Sequence, residues 1–560
     1  MSKPQQAIRL QVPPRAGPVV AKAAEVFRRH VEQRSAAQVR VGGEGGLTVR
    51  LDLDPGIGRE GFRIEDAPGG AVRIAGGDER GVVYGVGKLL RGSRYGDDGF
   101  TPGAWRGASV PDKPVRGMYF ATHFGNSYCG APVEEVQQYV EDLALWGTNA
   151  LMVWFDMHHY AGIDEADAQA MLDRLAALLK AARSVGMAAG IGVLANEAYR
   201  TSPPELRSDP NTGRAHYGVE LCPHKPGAKE LMLRWFAEEL DAFTARGATI
   251  DHLWIWPYDQ GGCACRRCAP WGANGFLVMA EAISRLARAR LASVKVILST
   301  WLFDYKQPEG EWEGLARALT DRPDWVDYLL ADSHEDFPRY PLQRGVPGGL
   351  EMLNFPEISM WGMYPWGGLG ANPLPGRFQR LWDQAGGRLA GGFPYSEGIF
   401  EDINKAIVSQ FYWDPARSAA ETVREYVAFE YSPDVVDDVA RAVEILEANH
   451  RHAHWGPDLW AARGQVAGDM NDAGSAEAMA LMESADARLP TRARSAWRWR
   501  ILYLRALIDR ERYAHRNVPT DRCNEAMEEL VRIYHAGRAE THCAPPAKTI
   551  LRRRGGPGNP

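Results

Sequence analysis

Residues 252–268 read HLWIWPYDQGGCACRRC. Five residues of strand character, His252 to Trp256, lead into a single carboxylate, Asp259. Two glycines follow, then three cysteines spaced C-x-C-x-x-C. A short apolar run that stops on an acidic residue is what a strand buried on both faces of a parallel sheet delivers at its carboxyl end.

The same shape recurs on both sides of this stretch. Upstream come RGMYFATHF from Arg116, NALMVWFDMHH from Asn149 and AAGIGVLANE from Ala188. Downstream come VKVILSTWLFD, WVDYLLADSH, GLEMLNFPEIS and LAGGFPYSEG, the last from Leu389. Amphipathic stretches separate them, such as VEEVQQYVEDLALWG, AQAMLDRLAALLKAARSVG and KELMLRWFAEELDAFTARG. Strand and helix alternate eight times in about 290 residues, which predicts a (β/α)8 barrel over residues 113–412.

Before the barrel, residues 1–112 read as a small α+β domain. QAIRLQV and LTVRLDL alternate as half-buried strands, and GPVVAKAAEVFRRHVEQR between them has helical spacing. Then GREGFRIEDAPGGAVRIAGGDERGVVYGVGKLLR gives a hairpin closed by Pro68-Gly69-Gly70 and a helix from Arg80. After YWDPARSAAETVREYVAFEY the chain is rich in Ala, Glu and Arg with helical periodicity, a helical domain over 413–545. The end, LRRRGGPGNP, is too polar and too rich in Gly and Pro to pack, so 546–560 reads as a disordered tail.

The order of features in EGFRI followed by AVRIAGGDERGVVYGVGKLL resembles the domain that precedes the catalytic barrel in family 20 and family 67 glycoside hydrolases. The resemblance covers about 35 residues. It implies a catalytic (β/α)8 barrel next, with its active site at the carboxyl ends of the strands.

Composition narrows the partners. The chain of 560 residues carries a net charge of -6 and no long basic run before its tail, so nucleic acid is not an expected partner. No window is apolar enough for a membrane span, and MSKPQQAIRLQV lacks the apolar core of a secretion signal, so a cytoplasmic location is expected. Seven cysteines, three of them crowded, argue for reduced thiols rather than a disulfide framework. The helical tail domain offers a surface for a homodimer.

Each expected strand end delivers polar groups to one rim. These are His123, then Asp156, His158 and His159, then Asn196 and Glu197, then Tyr258, Asp259 and Gln260. Trp301 and Asp304 follow, then Asp332, His334, Glu335 and Asp336, then Glu357 with Trp361 beyond it, and last Tyr395 and Glu397. Carboxylates accept hydrogen bonds from sugar hydroxyls and aromatic rings cover sugar faces, so the set suits a glycoside or oligosaccharide. Substrate contacts are expected from His123, Asp156, His158, Glu197, Tyr258, Gln260, Trp301, His334, Trp361 and Tyr395.

Glycoside cleavage needs a carboxylic acid for the leaving oxygen and a second carboxylate, or a substrate acetamide, on the other side. Asp259 is the expected acid, because desolvation at the end of so apolar a strand raises its pKa. Glu357, aimed by Pro356, and Glu397 are the expected base or nucleophile. The same residues have plainer readings: Asp259 as a cap on the QGG turn, Glu397 as an acidic residue at a helix start. The resemblance exposes a departure here. Family 20 enzymes carry Asp-Glu at this point, where the Asp orients the substrate acetamide and the Glu protonates the leaving group. This chain has Asp259-Gln260, and an amide cannot donate that proton.

The expected activity is an exo-acting glycoside hydrolase that removes a terminal β-linked N-acetylhexosamine. A uronic acid glycosidase and a carbohydrate-binding barrel without activity are the alternatives. No cofactor is expected for catalysis. Cys263, Cys265 and Cys268 are expected to hold a structural zinc with Cys222 as fourth ligand, or His224 in its place.

Overall fold

The computed structural model describes residues 6–43, 45–123, 126–210, 217–258, 261–303, 310–333, 336–357, 371–449, 474–516, 518 and 520–534. Asp259, Gln260, Asp304, His334, Glu335, Trp361 and the expected tail 546–560 lie outside the described residues.

The amino-terminal unit is a six-stranded sheet in the order Gln38–Val41, Ala7–Gln11, Leu47–Leu53, Ala71–Gly76, Phe62–Ala67, Gly107–Ser109. Helices Pro18–Arg34 and Glu79–Arg91 accompany it. The Phe62–Ala67 and Ala71–Gly76 strands pair antiparallel across the Pro-Gly-Gly turn, where Gly69 and Gly70 have φ of 80° and 73°. The second helix begins one residue earlier than its pattern suggests. Asp78 caps it by accepting from Gly81 N at 2.9 Å, a bond type that stabilises by about 1 kcal/mol.

The next eight strands are parallel and close into a barrel. In chain order they are Val115–Phe120, Ala150–Trp154, Ala188–Leu194, His252–Trp256, Lys295–Ser299, Tyr328–Ser333, Glu351–Pro356 and Leu389–Gly392. The seam is made where Gly391 and Gly392 pair with Val115 and Arg116. Gly391 has φ of 125°, and a Cβ there would sit 1.6 Å from the Val115 carbonyl oxygen. Only a glycine lets the last strand approach the first so closely.

Two strands end sooner than the apolar pattern predicts. The fifth stops at Ser299, and the chain turns through Leu302 at φ of 59°. The eighth breaks at Phe393-Pro394 and resumes as Tyr395–Ser396, again beside the first strand. Proline has no N–H for the ladder, which accounts for the interruption.

Asp402–Trp413 is the helix after the eighth strand. Beyond it come Ala419–Glu430, Val436–Asn449, Ser475–Arg488, Trp497–Ala514 and Asp521–Tyr534. None of the described helices is long and apolar enough to cross a membrane.

Ion pairs and hydrogen bonds stitch the three regions. Arg34 of the first helix bonds the Phe429 carbonyl and Glu430 Oε2, each at 2.7 Å. Lys88 and Arg91 of the second meet Glu425 at 3.0 and 3.2 Å. Asp142, at the end of barrel helix Val133–Ala144, is 2.9 Å from His30 and 3.1 Å from Arg498. All these groups are largely withdrawn from solvent, so each deletion would strand a partner charge.

Candidate active site

Side chains two apart on a strand share a face, and partners in register on neighbouring parallel strands share it too. Phe355 is in register with Asp332, so both belong to one face, and the edge-to-face aromatic contacts of Phe355 identify that face as the barrel interior. Glu357 lies one pleat further on the same face, and a bridge pairs it with Tyr395.

The interior is closed by rings. Trp254 meets Trp256 at 4.6 Å between centroids, and both meet Phe355 at 5.1 Å. Trp301 stacks on Trp256 at 5.5 Å, Tyr395 reaches Phe355 at 5.8 Å, and Tyr119 reaches Trp254 at 5.0 Å. Trp154 and His123 complete the layer, 4.9 Å apart, and His123 Nδ1 is 2.6 Å from the Tyr119 hydroxyl. These rings are all buried, so Trp154, Trp254 and Trp256 are packing residues. The layer is a buried aromatic floor, and polar groups stand at the strand ends beyond it.

Asp156 follows the second strand. Its Oδ1 is 2.5 Å from His158 Nδ1, and its Oδ2 accepts from Tyr217 at 3.3 Å. The His158 ring lies against Tyr217, centroids 3.4 Å apart. Burial works against charge on Asp156, but His158, His159 and His123 outweigh it and hold the carboxyl below its ordinary range. His158 and Asp156 thus form an oriented hydrogen-bonded pair on the rim.

Glu197, after the third strand, is turned inward to the backbone. It accepts from Met157 N at 2.8 Å and Leu194 N at 3.0 Å, and from the Trp154 indole at 3.4 Å. Burial, with Asp156 and Glu239 nearby, pushes its carboxyl well above the usual range. It locks the second strand end to the third. Tyr258, after the fourth strand, is 1% exposed and donates its hydroxyl to Glu311. Glu311 also accepts from Gly272 N at 3.0 Å, so this pair fixes the far side of the fourth loop. Nothing in the GEWEG stretch points to Glu311, which opens a short helix there.

Asp332, near the end of the sixth strand, is the group that sequence reading placed on the rim without ranking. Burial raises its carboxyl to about 7, with only a backbone hydrogen bond opposing. Its signal in the sequence is the one that singled out Asp259, an apolar run ending on an acid. Glu357 is 2% exposed, and its carbonyl accepts from Arg377 at 2.8 Å. A lateral step of one strand and an axial step of two residues put the Asp332 and Glu357 Cα atoms about 8 Å apart. Their side chains share one face, so a sugar could be held between them.

Glu397 Oε1 accepts from the Tyr395 hydroxyl at 2.5 Å, and the Glu397 carbonyl accepts from Tyr534 at 2.9 Å. The helix that follows opens only at Asp402, so Glu397 is not a helix-start residue. That place is held by Glu401, which bonds Ser396 Oγ at 2.5 Å and Lys405 at 3.1 Å and is buried.

The four expected cysteines converge. The Sγ atoms of Cys222, Cys263, Cys265 and Cys268 all lie within 4.8 Å of one another, and His224 is not in the group.

No protein-family profile and no curated protein matches this chain. Solved structures match in fold. A family GH115 4-O-methyl-α-glucuronidase with specificity for decorated arabinogalactans aligns with a TM-score of 0.61 at 11% identity, over 97% of this chain and 77% of its own. A GH138 enzyme targeting pectin rhamnogalacturonan II aligns at 0.55 and 11%, over 94% and 73%. An inactive mutant of a GH20 exo β-N-acetylglucosaminidase from Vibrio harveyi aligns at 0.51 and 11%, over 76% and 74%. At these identities the shared property is the architecture.

Proposed function

We propose that the chain is an exo-acting glycoside hydrolase, with Asp332 as general acid and Glu357 as base or nucleophile. One observation carries the reading. Two carboxyl groups share the inward face at the carboxyl ends of adjacent barrel strands, and burial keeps one of them protonated near neutral pH. A protonated Asp332 gives its proton to the leaving oxygen, and Glu357 stabilises or attacks the anomeric carbon or activates water. The Asp156–His158 pair on the opposite side of the rim supplies hydroxyl contacts, and the aromatic floor excludes water beneath the sugar.

The sugar is read as a uronic acid. The GH115 α-glucuronidase structure aligns over 97% of this chain, whereas the GH20 structure aligns over 76% of it. The Gln260 amide points the same way, since it stands where family 20 needs its acid. A β-linked N-acetylhexosamine is the second reading, favoured by Asp259, the residue type that family 20 uses to orient the acetamide. The substrate partner is a glycoside or oligosaccharide in both.

The test is a screen of p-nitrophenyl glycosides: α-glucuronide, β-GlcNAc, β-GalNAc and the common neutral sugars. Wild type runs beside Asp332→Asn, Glu357→Gln and Asp259→Asn. Release from one sugar, lost in Asp332→Asn and Glu357→Gln, is the expected result. Loss in Asp259→Asn with Asp332→Asn active moves the acid to the fourth strand. Saccharide binding with no release from any glycoside, natural linkages included, leaves a binding barrel.

A further inference from the structure

We infer that Cys222, Cys263, Cys265 and Cys268 bind one zinc ion as a closed tetrathiolate site, and that this ion staples the loop after the third barrel strand to the loop after the fourth. The geometry is that of a metal centre before any ion is added. Cys222 Sγ lies 3.8 Å from both Cys265 Sγ and Cys268 Sγ, and all four sulfurs lie within 4.8 Å of one another. Sulfurs held about 2.3 Å from a zinc at tetrahedral angles stand about 3.8 Å from each other. A disulfide needs about 2.05 Å between sulfurs, so the four are too far apart for that bond and correctly spaced for a cation at their centre.

The surroundings are built to hold the sulfurs in place. Three of the cysteines are buried and Cys265 is partly exposed, so the site has an edge open to solvent for loading. Cys263 Sγ accepts from Asp209 N at 3.4 Å, the N–H to sulfur bond typical of the shell around thiolate ligands. Asn196, fully buried at the end of the third strand, bonds the Leu221 carbonyl at 3.1 Å and the Gly262 carbonyl at 3.0 Å, and accepts from Gly262 N at 2.9 Å. Leu221 and Gly262 each precede a ligand. One side chain therefore sets the approach of both loops, and the Ala264 N bond to the Asp209 carbonyl at 2.9 Å repeats the tie.

Four protein ligands leave no open position, so the ion is structural. Soft thiolates in a tetrahedron select zinc over magnesium, calcium or manganese. The stapled fourth loop is the one that carries Asp259, two residues before Gly261.

The test is metal analysis of the full chain by inductively coupled plasma mass spectrometry, with thiol titration of the native protein. One zinc per chain is expected, with the four cluster thiols slow to react until a chelator is added. Cobalt exchange should give a strong thiolate-to-cobalt absorption band. Cys222→Ser and Cys265→Ser should each reduce zinc to a small fraction, while Cys523→Ser, outside the cluster, should leave it at one. Because a serine variant can fail to fold, Cys265→His is included, and it should keep the metal. Protein grown with added zinc that carries no metal and shows freely reactive cluster thiols would overturn the inference. So would iron in place of zinc, or full zinc retention in Cys222→Ser.

Discussion

Asp142 Oδ1 lies 2.9 Å from His30 Nε2, so the barrel's first helix holds the first helix of the amino-terminal sheet domain. The other oxygen accepts from Arg498 of the helical region at 3.1 Å, which makes Asp142 a junction of all three regions. Burial pushes His30 down, so at neutral pH the imidazole is uncharged. Burial also works against the Asp142 charge, but the hydrogen bond from His30 and the guanidinium charges of Arg498 and Arg29 outweigh it and keep the carboxyl well below the usual range.

Asp142→Asn should therefore cost about 2 to 3 kcal/mol at pH 7, allowing for partial exposure of the group. A carboxyl whose folded pKa is depressed stabilises above its unfolded value, near 4, and that contribution is lost as pH falls below it. Urea unfolding at pH 7 and at pH 3 should show the gap between wild type and variant shrinking at the lower pH. A gap that is the same at both would remove Asp142 as an ionised junction.

For Asp332 the sign is opposite. Its folded carboxyl binds a proton more tightly than the unfolded one, so stability falls as pH rises from about 4 to about 7 and is then level. Asp332→Asn should flatten that slope in thermal melts taken across the range. As the acid of a hydrolase, Asp332 should also set an alkaline limb near pH 7 in kcat/KM, and the variant should lower kcat by about 10² to 10⁴. A variant with wild-type kcat and an unchanged limb would dismiss it.

Asn196→Ala removes three hydrogen bonds in the interior and leaves two carbonyls and one N–H of the adjoining loops without that partner. A loss of about 3 kcal/mol is expected in denaturant melts. Asn196→Asp, which keeps the shape and the acceptor but not the donor, should recover less than half of it.

Gly391→Ala tests the seam. The added methyl meets the Val115 carbonyl oxygen at 1.6 Å, in a backbone conformation with φ of 125° that alanine avoids. We expect a loss of at least about 3 kcal/mol, read as a lower melting temperature or as insoluble protein. Gly387→Ala, where a Cβ has open space, is the control and should be near neutral.

The barrel was legible because each strand is an apolar run that stops on a polar residue, a pattern that needs no partner to be seen. Where strands ended early, the reason lay in backbone detail. Leu302 adopts a left-handed conformation that nothing in TWLFD announces, and Pro394 interrupts a run that reads as continuous. The cysteines were legible as a cluster because three sit within six residues, and Cys222 joined them on chemistry alone. The rim carboxyls were legible in position but not in role. Asp332 is set apart by a half-buried place that raises its carboxyl, and Glu197 by the backbone amides it faces. Tyr258 shows the same gap from the other side. Its place after the fourth strand suggested a substrate contact, and its bond to Glu311 turns it into a brace.

The ion pairs that join the regions also set an order on the ribosome. Arg34, Lys88 and Arg91 leave the exit tunnel long before Glu425, Phe429 and Glu430, and Asp142 long before Arg498. The sheet domain can collapse early on its own apolar face, but Arg34, Lys88 and Arg91 on its helices stay unmatched while the barrel is translated. Nascent chains halted before residue 425 should then be open to protease at the first two helices, and chains halted well beyond residue 498 should resist it.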